Sequence, residues 1–433
     1  MPFRFIHTAD IHLDSPLKSL ALRDTALSEA VGTATRAAFV RIIDLCLAEA
    51  VDALLIAGDL YDGAQTSMKT ARFLLAQLAR LEAAGVATWL IRGNHDAMSR
   101  ITAELVFPPS VTVFGARAEV RMVETGGRPV AIHGISFARP QAPDSLLGKF
   151  RPPVPGAVNI GMMHTSLGGA AGHDVYAPCA LADLQASGFD YWALGHVHVR
   201  AEYPGRCTVV MPGMPQGRDI GEAGAKSVTL VTVTDDGRVL TETRDTAAVR
   251  FERVPVAVDG LEGWPDLVAA LGQAVRAARR DHAADQLVLR PMLTGRTPLA
   301  WRLLRDGDLM GNEAVAVAES LGSVWIDKLE NLTEAGERAV VGDALADLAA
   351  LIDPRDAGLV QAGAEVTDEL LRALPRELRA LPADLLRALP PGLAAVPGDD
   401  PDRIAAARAD LMQAGAAEVL AALHGGRDAD QPA

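Results

Sequence analysis

The sequence predicts an α/β protein: a sandwich flanked by helices, then a small α+β unit, then a helical tail. Three observations carry this reading. Short apolar runs alternate with helical patterns over residues 1–200, strands follow one another without helices from about 205 to 258, and the chain beyond 341 is rich in Ala and Leu. Alternating strands and helices form sheets whose faces the helices cover, with a largely parallel strand order.

Phe3–Ala9, Ala53–Ala57, Val86–Ile91, Val130–His133, Val158–Met163 and Tyr191–Leu194 read as buried strands. Thr33–Ala50 and Ser67–Ala84 read as helices between them. In the second, Met68, Ala71, Leu74, Leu78 and Leu81 recur at helical spacing, and Gly85 supplies the stop. Thr208–Met211, Ser227–Thr234, Val239–Thr243 and Phe251–Val258 read as further strands, closing a first domain at 1–258. A second domain at 259–340 combines helical stretches at Trp264–Arg279 and Pro298–Leu304 with strands at Gln286–Leu293 and Val324–Ile326. Its size suits a small α+β cap. The region 341–433 repeats Leu-Arg-Ala-Leu-Pro at 371–375, 378–382 and 386–390, so proline should cut it into short helices. Disorder is expected from about Gly425 onward.

No apolar run reaches the roughly 18 residues that a membrane helix requires, so no membrane association is expected. Cys46, Cys179 and Cys207 are scattered and odd in number, which fits a reducing cytoplasm. The net charge is −14, and residues 251–433, with 18 basic and 30 acidic groups, carry −12 of it. A nucleic-acid enzyme usually shows a basic footprint, and none is visible. Bound divalent cations would raise the local potential, which weakens that objection.

Five polar motifs follow five of the apolar strands: Asp10-Ile11-His12, Gly58-Asp59-Leu60-Tyr61-Asp62, Gly93-Asn94-His95-Asp96, His164, and Gly195-His196-Val197-His198. Asp10 and His12, and likewise His196 and His198, would point to one side if the chain stayed extended. Imidazole nitrogens and carboxylate oxygens together suit manganese, iron or zinc. Two such ions can clamp a phosphoryl group, a site needing about seven ligands with one shared. Asp10, His12, Asp59, Asn94, His164, His196 and His198 supply that number. A lone Asp-x-His or Gly-Asp is uninformative. Five such motifs, in order and each at a strand end, are not.

The motifs resemble those of the calcineurin-like metallophosphoesterase superfamily. The opening Phe5-Ile6-His7-Thr8-Ala9-Asp10-Ile11-His12-Leu13-Asp14-Ser15-Pro16-Leu17 resembles the SbcD-type DNA repair exonucleases, in their YhaO-like bacterial branch. Gly161-Met162-Met163-His164-Thr165-Ser166-Leu167 and Pro212-Gly213-Met214-Pro215-Gln216-Gly217-Arg218 resemble the same branch. The resemblance implies a metallophosphoesterase β-sandwich with two divalent metal ions, usually manganese. Asp10, His12, Asp59 and His198 would hold one ion and Asp59, Asn94, His164 and His196 the other. His95 would face the scissile phosphate as a catalytic group, with Asp62 orienting its ring. It further implies exonuclease activity on DNA in repair, with single-strand endonuclease activity open, and an SMC-like ATPase partner contacted through C-terminal elements. Homodimer formation stays open.

Rival readings are a small-molecule phosphodiesterase acting on cyclic nucleotides or nucleotide derivatives, a phosphoprotein phosphatase, and a scaffold on a decayed fold. A scaffold should have lost ligands, and none is missing. His7 and His133 read as core or loop residues, His173 and Asp174 as candidate groove residues, and Arg92 and Arg218 as candidate phosphate contacts no better supported than as surface residues.

Overall fold

The computed structural model describes residues 2–15, 25–62, 67–97, 105–125, 127–168 and 176–335, with residue 415 alone beyond them. The expected tail therefore lies outside the described residues but for that one position. His173, Asp174 and His424 lie outside them as well.

The elements run β1 (Phe3–Thr8), α1 (Thr25–Ala48), β2 (Ala53–Ala57), α2 (Met68–Ala83), β3 (Ala87–Ile91), β4 (Val111–Val113), β5 (Glu119–Val123), β6 (Val130–Gly134), β7 (Val158–His164), α3 (Leu181–Ala186), β8 (Tyr191–Gly195), β9 (Ala201–Tyr203), β10 (Thr208–Met211), β11 (Ser227–Val233) and β12 (Val239–Asp245). There follow β13 (Val249–Ala257), α4 (Trp264–Asp281), β14 (Gln286–Thr297), α5 (Ala300–Arg305), α6 (Gly307–Leu321), β15 (Val324–Ile326) and β16 (Glu330–Ala335).

Two six-stranded sheets form the sandwich, ordered β12-β11-β1-β2-β3-β4 and β5-β6-β7-β8-β10-β9. Each has the largely parallel strand order expected of the sandwich, with antiparallel strands added to it. The parallel run β1-β2-β3-β4 ends at the β4 edge and is bordered on its other side by antiparallel β11 and β12, whereas β6-β7-β8-β10 is bordered on both sides, by antiparallel β5 and β9. The reason is connection length. The links β5–β6, β9–β10 and β11–β12 are hairpins, and a hairpin can only join antiparallel strands.

Strand alternation explains why both sheets are apolar on both faces. Phe5, Leu55 and Trp89 of the first sheet meet Ile132, Ile160 and Tyr191 of the second between the layers. Their neighbours Ile6, Leu54, Ile56 and Leu90 turn outward onto Phe39 and Ile43 of α1 and Leu74 and Leu78 of α2. Met163, Trp192 and Leu194 likewise face Leu184 of α3. The order is helix, sheet, sheet, helix.

Helix α1 begins at Thr25, well before the expected Thr33. Gly32 costs a helix about 1 kcal/mol, but Val31, Ala34 and Ala38 are buried on its core face and outweigh that penalty. Helix α2 starts with the Ser67 hydroxyl accepting from Lys69 N and ends as expected at Gly85. There φ is +76°, Gly85 N donates to Glu82 O at 2.9 Å and Val86 N to Leu81 O at 2.9 Å. These paired bonds satisfy the last carbonyls of the helix.

The chain divides into two compact units: Met1–Glu252 with Ala284–Val288, and Arg253–Ala283 with Leu289 onward. In the second, α4 and α6 pack together and bury Leu267, Leu271, Val275, Met310 and Ala314. Its sheet runs β13-β14-β15, with β16 parallel to β14. Arginines of that sheet are paired: Arg290 with Asp327, Arg296 with Glu334 at 3.0 Å and Arg253 with Glu330 at 3.5 Å. Among the described residues no helix is long and apolar enough to cross a membrane.

Candidate metal centre

The site lies at the carboxyl ends of β1, β2 and β3 in one sheet and β7 and β8 in the other, where open parallel sheets bind ligands. Beyond β1 the chain does not stay extended, contrary to the expectation for Asp10 and His12. Asp10 N donates to Gly58 O at 3.0 Å, His12 N to Asp59 O at 3.1 Å and Leu13 N to Leu60 O at 2.9 Å, so this loop runs alongside the one after β2. Asp10, His12, Asp59 and His196 all have left-handed backbone, at φ 51°, 44°, 52° and 108°. Such a conformation costs a non-glycine residue about 1–3 kcal/mol and persists where the surroundings over-determine it. Turns, not strand alternation, converge these side chains. Gly93 allows the next loop to close over them, because a Cβ there would run into Asp59 and His164.

Ligand atoms of Asp10, His12 and His198 lie within 4.8 Å of one another, and so do those of Asp59, His164 and His196. Asn94 joins the second group, its Oδ1 3.1 Å from His164 Nε2. Asp59 Oδ2 stands 3.3 Å from the same nitrogen. His196 N donates to Asp10 Oδ2 at 2.9 Å, which links the groups. His95 N donates to Asp59 Oδ1 at 3.0 Å.

Outer partners decide which ring nitrogens face inward. His12 Nδ1 donates to Asp62 Oδ1 at 2.8 Å, His198 Nδ1 to Glu222 Oε1 at 2.9 Å and His164 Nδ1 to the Ala57 carbonyl at 2.9 Å. Each Nε2 is then the atom turned to the site, open to a proton or a cation. His12 Nε2 and His198 Nε2 then face one another at 3.2 Å, an arrangement that repels unless a proton or cation lies between. His196 Nε2 is buried with no hydrogen-bond partner among the described residues. Converging lone pairs, buried carboxylates and an orphaned imidazole nitrogen are what a cation site requires. The residues fit divalent metal ions.

The electrostatics agree. Burial would lower the His164 pKa, but the adjacent Asp59 carboxylate prevails and raises it to about 9. In the metal-free protein that proton stands where a cation would. Burial, with the His164 charge, pushes His196 down to about 4, leaving a neutral donor. Burial alone would raise Asp59 and Asp62, yet His164 and His12 respectively hold them well below the usual carboxylate range.

His95 is the exposed member, its side chain 42% accessible, and its ring meets His12 edge-on. The partner expected for it is engaged elsewhere. Asp62 bonds to His12, while His95 Nδ1 stands 3.5 Å away. The turn at His12 swings that ring toward Asp62. Arg218 is neither a free phosphate contact nor a solvated surface group: its guanidinium pairs with Glu222 at 2.6 Å. Arg92 is tied through its backbone, its N–H to Ser136 Oγ at 2.9 Å and its carbonyl to Phe137 N at 3.0 Å. His7 and His133 sit in the core, bonded to Tyr191 and Asn159.

Two residues escaped sequence reasoning. Buried Asp96 accepts from Leu60 N and Tyr61 N at 3.0 Å each and from Gly93 N at 3.3 Å, tying two site loops together. Burial, with Asp59 beside it, pushes its pKa up to about 6. It ends the Gly93-Asn94-His95-Asp96 motif, which was a usable signal. Glu222 lies 24 positions from His198 and carried none.

This fold and centre define a phosphoesterase, and the chain belongs to the calcineurin-like metallophosphoesterases, in their YhaO-like family. The calcineurin-like phosphoesterase model matches residues 3–200, and a model of the middle domain of metallophosphoesterase YhaO matches residues 251–334. The chain is similar to the uncharacterized metallophosphoesterase YhaO of Bacillus subtilis (strain 168), 32% identical over 340 residues, covering 76% of this chain and 82% of that one. It is 28% identical over 233 residues to the DNA double-strand break repair protein Mre11 of Methanopyrus kandleri, 49% of each chain. A component of the nuclease SbcCD of Rhodobacter capsulatus matches at 34% over 102 residues, 23% of each chain. Calcineurin-like phosphoesterases use dinuclear metal centres, which accords with the His/Asp clusters here.

Proposed function

We propose that this metal-dependent phosphoesterase cleaves phosphodiester bonds of DNA as an exonuclease in repair. The observation that carries the reading is the convergence of Asp10, His12, Asp59, Asn94, His164, His196 and His198, together with similarity to proteins named for DNA break repair and nuclease activity. Asp10, His12, Asp59 and His198 would hold one divalent ion and Asp59, Asn94, His164 and His196 the other, manganese being the proposed metal. Two such cations supply positive charge to the phosphoryl oxygens and acidify nearby water at neutral pH. His95, reachable from solvent, offers a ring nitrogen to the departing 3′ oxygen. We place the protein in the cytoplasm, with an SMC-like ATPase as partner.

The test is turnover by the full chain with manganese on linear DNA and on cyclic nucleotides. Release of nucleotides from DNA with little cyclic-nucleotide turnover is expected. Efficient cyclic-nucleotide turnover with DNA intact would overturn the nuclease reading in favour of a small-molecule phosphodiesterase. The net charge of −14 is the observation favouring that second reading.

A further inference from the structure

Glu222 sits on a short 3₁₀ turn, Ile220–Glu222, whose start is capped by the Asp219 carboxylate accepting from Gly221 N at 2.7 Å. Its carboxylate is fixed from two sides. Oε2 accepts the Arg218 backbone N–H at 2.8 Å, and Oε1 accepts Arg218 Nη2 at 2.6 Å. The same Oε1 takes the Nδ1 proton of His198 at 2.9 Å. Across the site Asp62 does the same for His12 at 2.8 Å. Two carboxylates, 160 positions apart in sequence, thus back the two imidazoles whose Nε2 atoms meet at 3.2 Å. Arg218 reaches toward both, with Nη1 3.9 Å from Asp62.

We infer that Glu222, held by Arg218, is a positioning residue for the metal centre: it fixes the tautomer and ring plane of His198. It thereby sets the affinity of the cation position shared by Asp10, His12 and His198. The inference rests on the metal-dependent reading. The alternative is a surface ion pair between Arg218 and Glu222 that happens to touch a histidine. Geometry separates the two. A bystander pair would leave His198 free to choose its tautomer, whereas here Nδ1 lies nearer the Glu222 acceptor, at 2.9 Å, than the Arg218 Nη2 donor, at 3.4 Å, so it gives its proton to the carboxylate and Nε2 faces inward. Removing such an outer partner costs about 10–100-fold in metal affinity.

The experiment is calorimetric titration of manganese into the full, chelator-stripped chain, for wild type, Glu222→Gln and Glu222→Ala. Glu222→Ala should weaken one manganese equivalent by about 10–100-fold and leave the other near its wild-type value. Glu222→Gln keeps an acceptor oxygen but not the charge, so it should fall between the two. It still discriminates if the alanine variant fails to fold. Wild-type affinity in Glu222→Gln and in any folded Glu222→Ala overturns the inference. So does equal weakening of both equivalents, the mark of a general structural loss. A wild type that takes up no manganese would instead overturn the metal-dependent reading, and this inference with it.

Discussion

The interior of the sandwich and its rim treat the same side chain in opposite ways. His7 on β1 is fully buried between the sheets, its nitrogens 2.8 Å from Tyr191 Oη and 3.0 Å from Leu194 O. No carboxylate among the described residues reaches it, and burial drives its pKa down to about 3. Five residues later His12 is as deeply buried, yet its pKa is raised, because Asp62 and Asp59 override the same desolvation. Burial does not decide whether a histidine is structural or chemical. What decides is whether a negative group stands behind one nitrogen while the other faces further donors.

The largest break in that contrast should come from within the rim. His196→Asn should lose one manganese equivalent, because it deletes a donor nitrogen. His95→Asn should keep both, while turnover falls by about 10²–10⁴-fold, the usual contribution of a positioned acid or base. Elemental analysis beside turnover on a phosphodiester reads both variants, and loss of an equivalent in His95→Asn would put that residue among the ligands. Asp62→Asn comes next. Because Asp62 backs His12, we expect about a 10-fold weaker manganese site and not a pure rate defect. Unchanged affinity with slower turnover would return Asp62 to His95.

The interior offers a smaller, pH-dependent test. The unfolded chain protonates His7 near 6.5, and the folded protein only near 3. Its contribution to stability is therefore complete above 6.5 and is lost as the pH falls toward 3, by up to about 1.4 kcal/mol per pH unit. Denaturant midpoints between pH 7 and about 4 should fall less steeply for His7→Gln than for wild type. Parallel slopes would show that this imidazole does not report burial. Gly85→Ala should be the mildest, costing about 1 kcal/mol from the left-handed backbone alone, since nothing lies within 4 Å of the added carbon. A neutral result would mean that the helix end relaxes.

Much of this was legible in the sequence because the signals were local. Strands β1, β2, β3, β7 and β8 are apolar runs closed by polar motifs, β6 is an apolar run without one, and each was placed within a few residues. Short elements were missed. β4 and β9 have three half-buried or exposed residues each, too few to show a period, whereas the equally short β15 was legible from its apolar Val-Trp-Ile. Helix α6 reads Gly-Asp-Leu-Met-Gly-Asn-Glu-Ala-Val-Ala-Val-Ala, where two glycines and alternating Val hide a helical face. In the site, residue types were legible and pairings were not. Which histidine takes Asp62 depends on the left-handed turn at His12, and Glu222 reaches His198 only through the tertiary fold.

The division of donors between the sheets has a consequence for assembly. Asp10, His12, Asp59 and Asn94 come from strand ends of one sheet, and His164, His196 and His198 from the other. A cation held by both sets works as a rivet through two plates, and no isolated half of the sandwich can grip it. Once bound at a hundred times its dissociation constant, it deepens the native state by about 2.7 kcal/mol. Chelation should therefore loosen the seam between the layers before it touches either sheet.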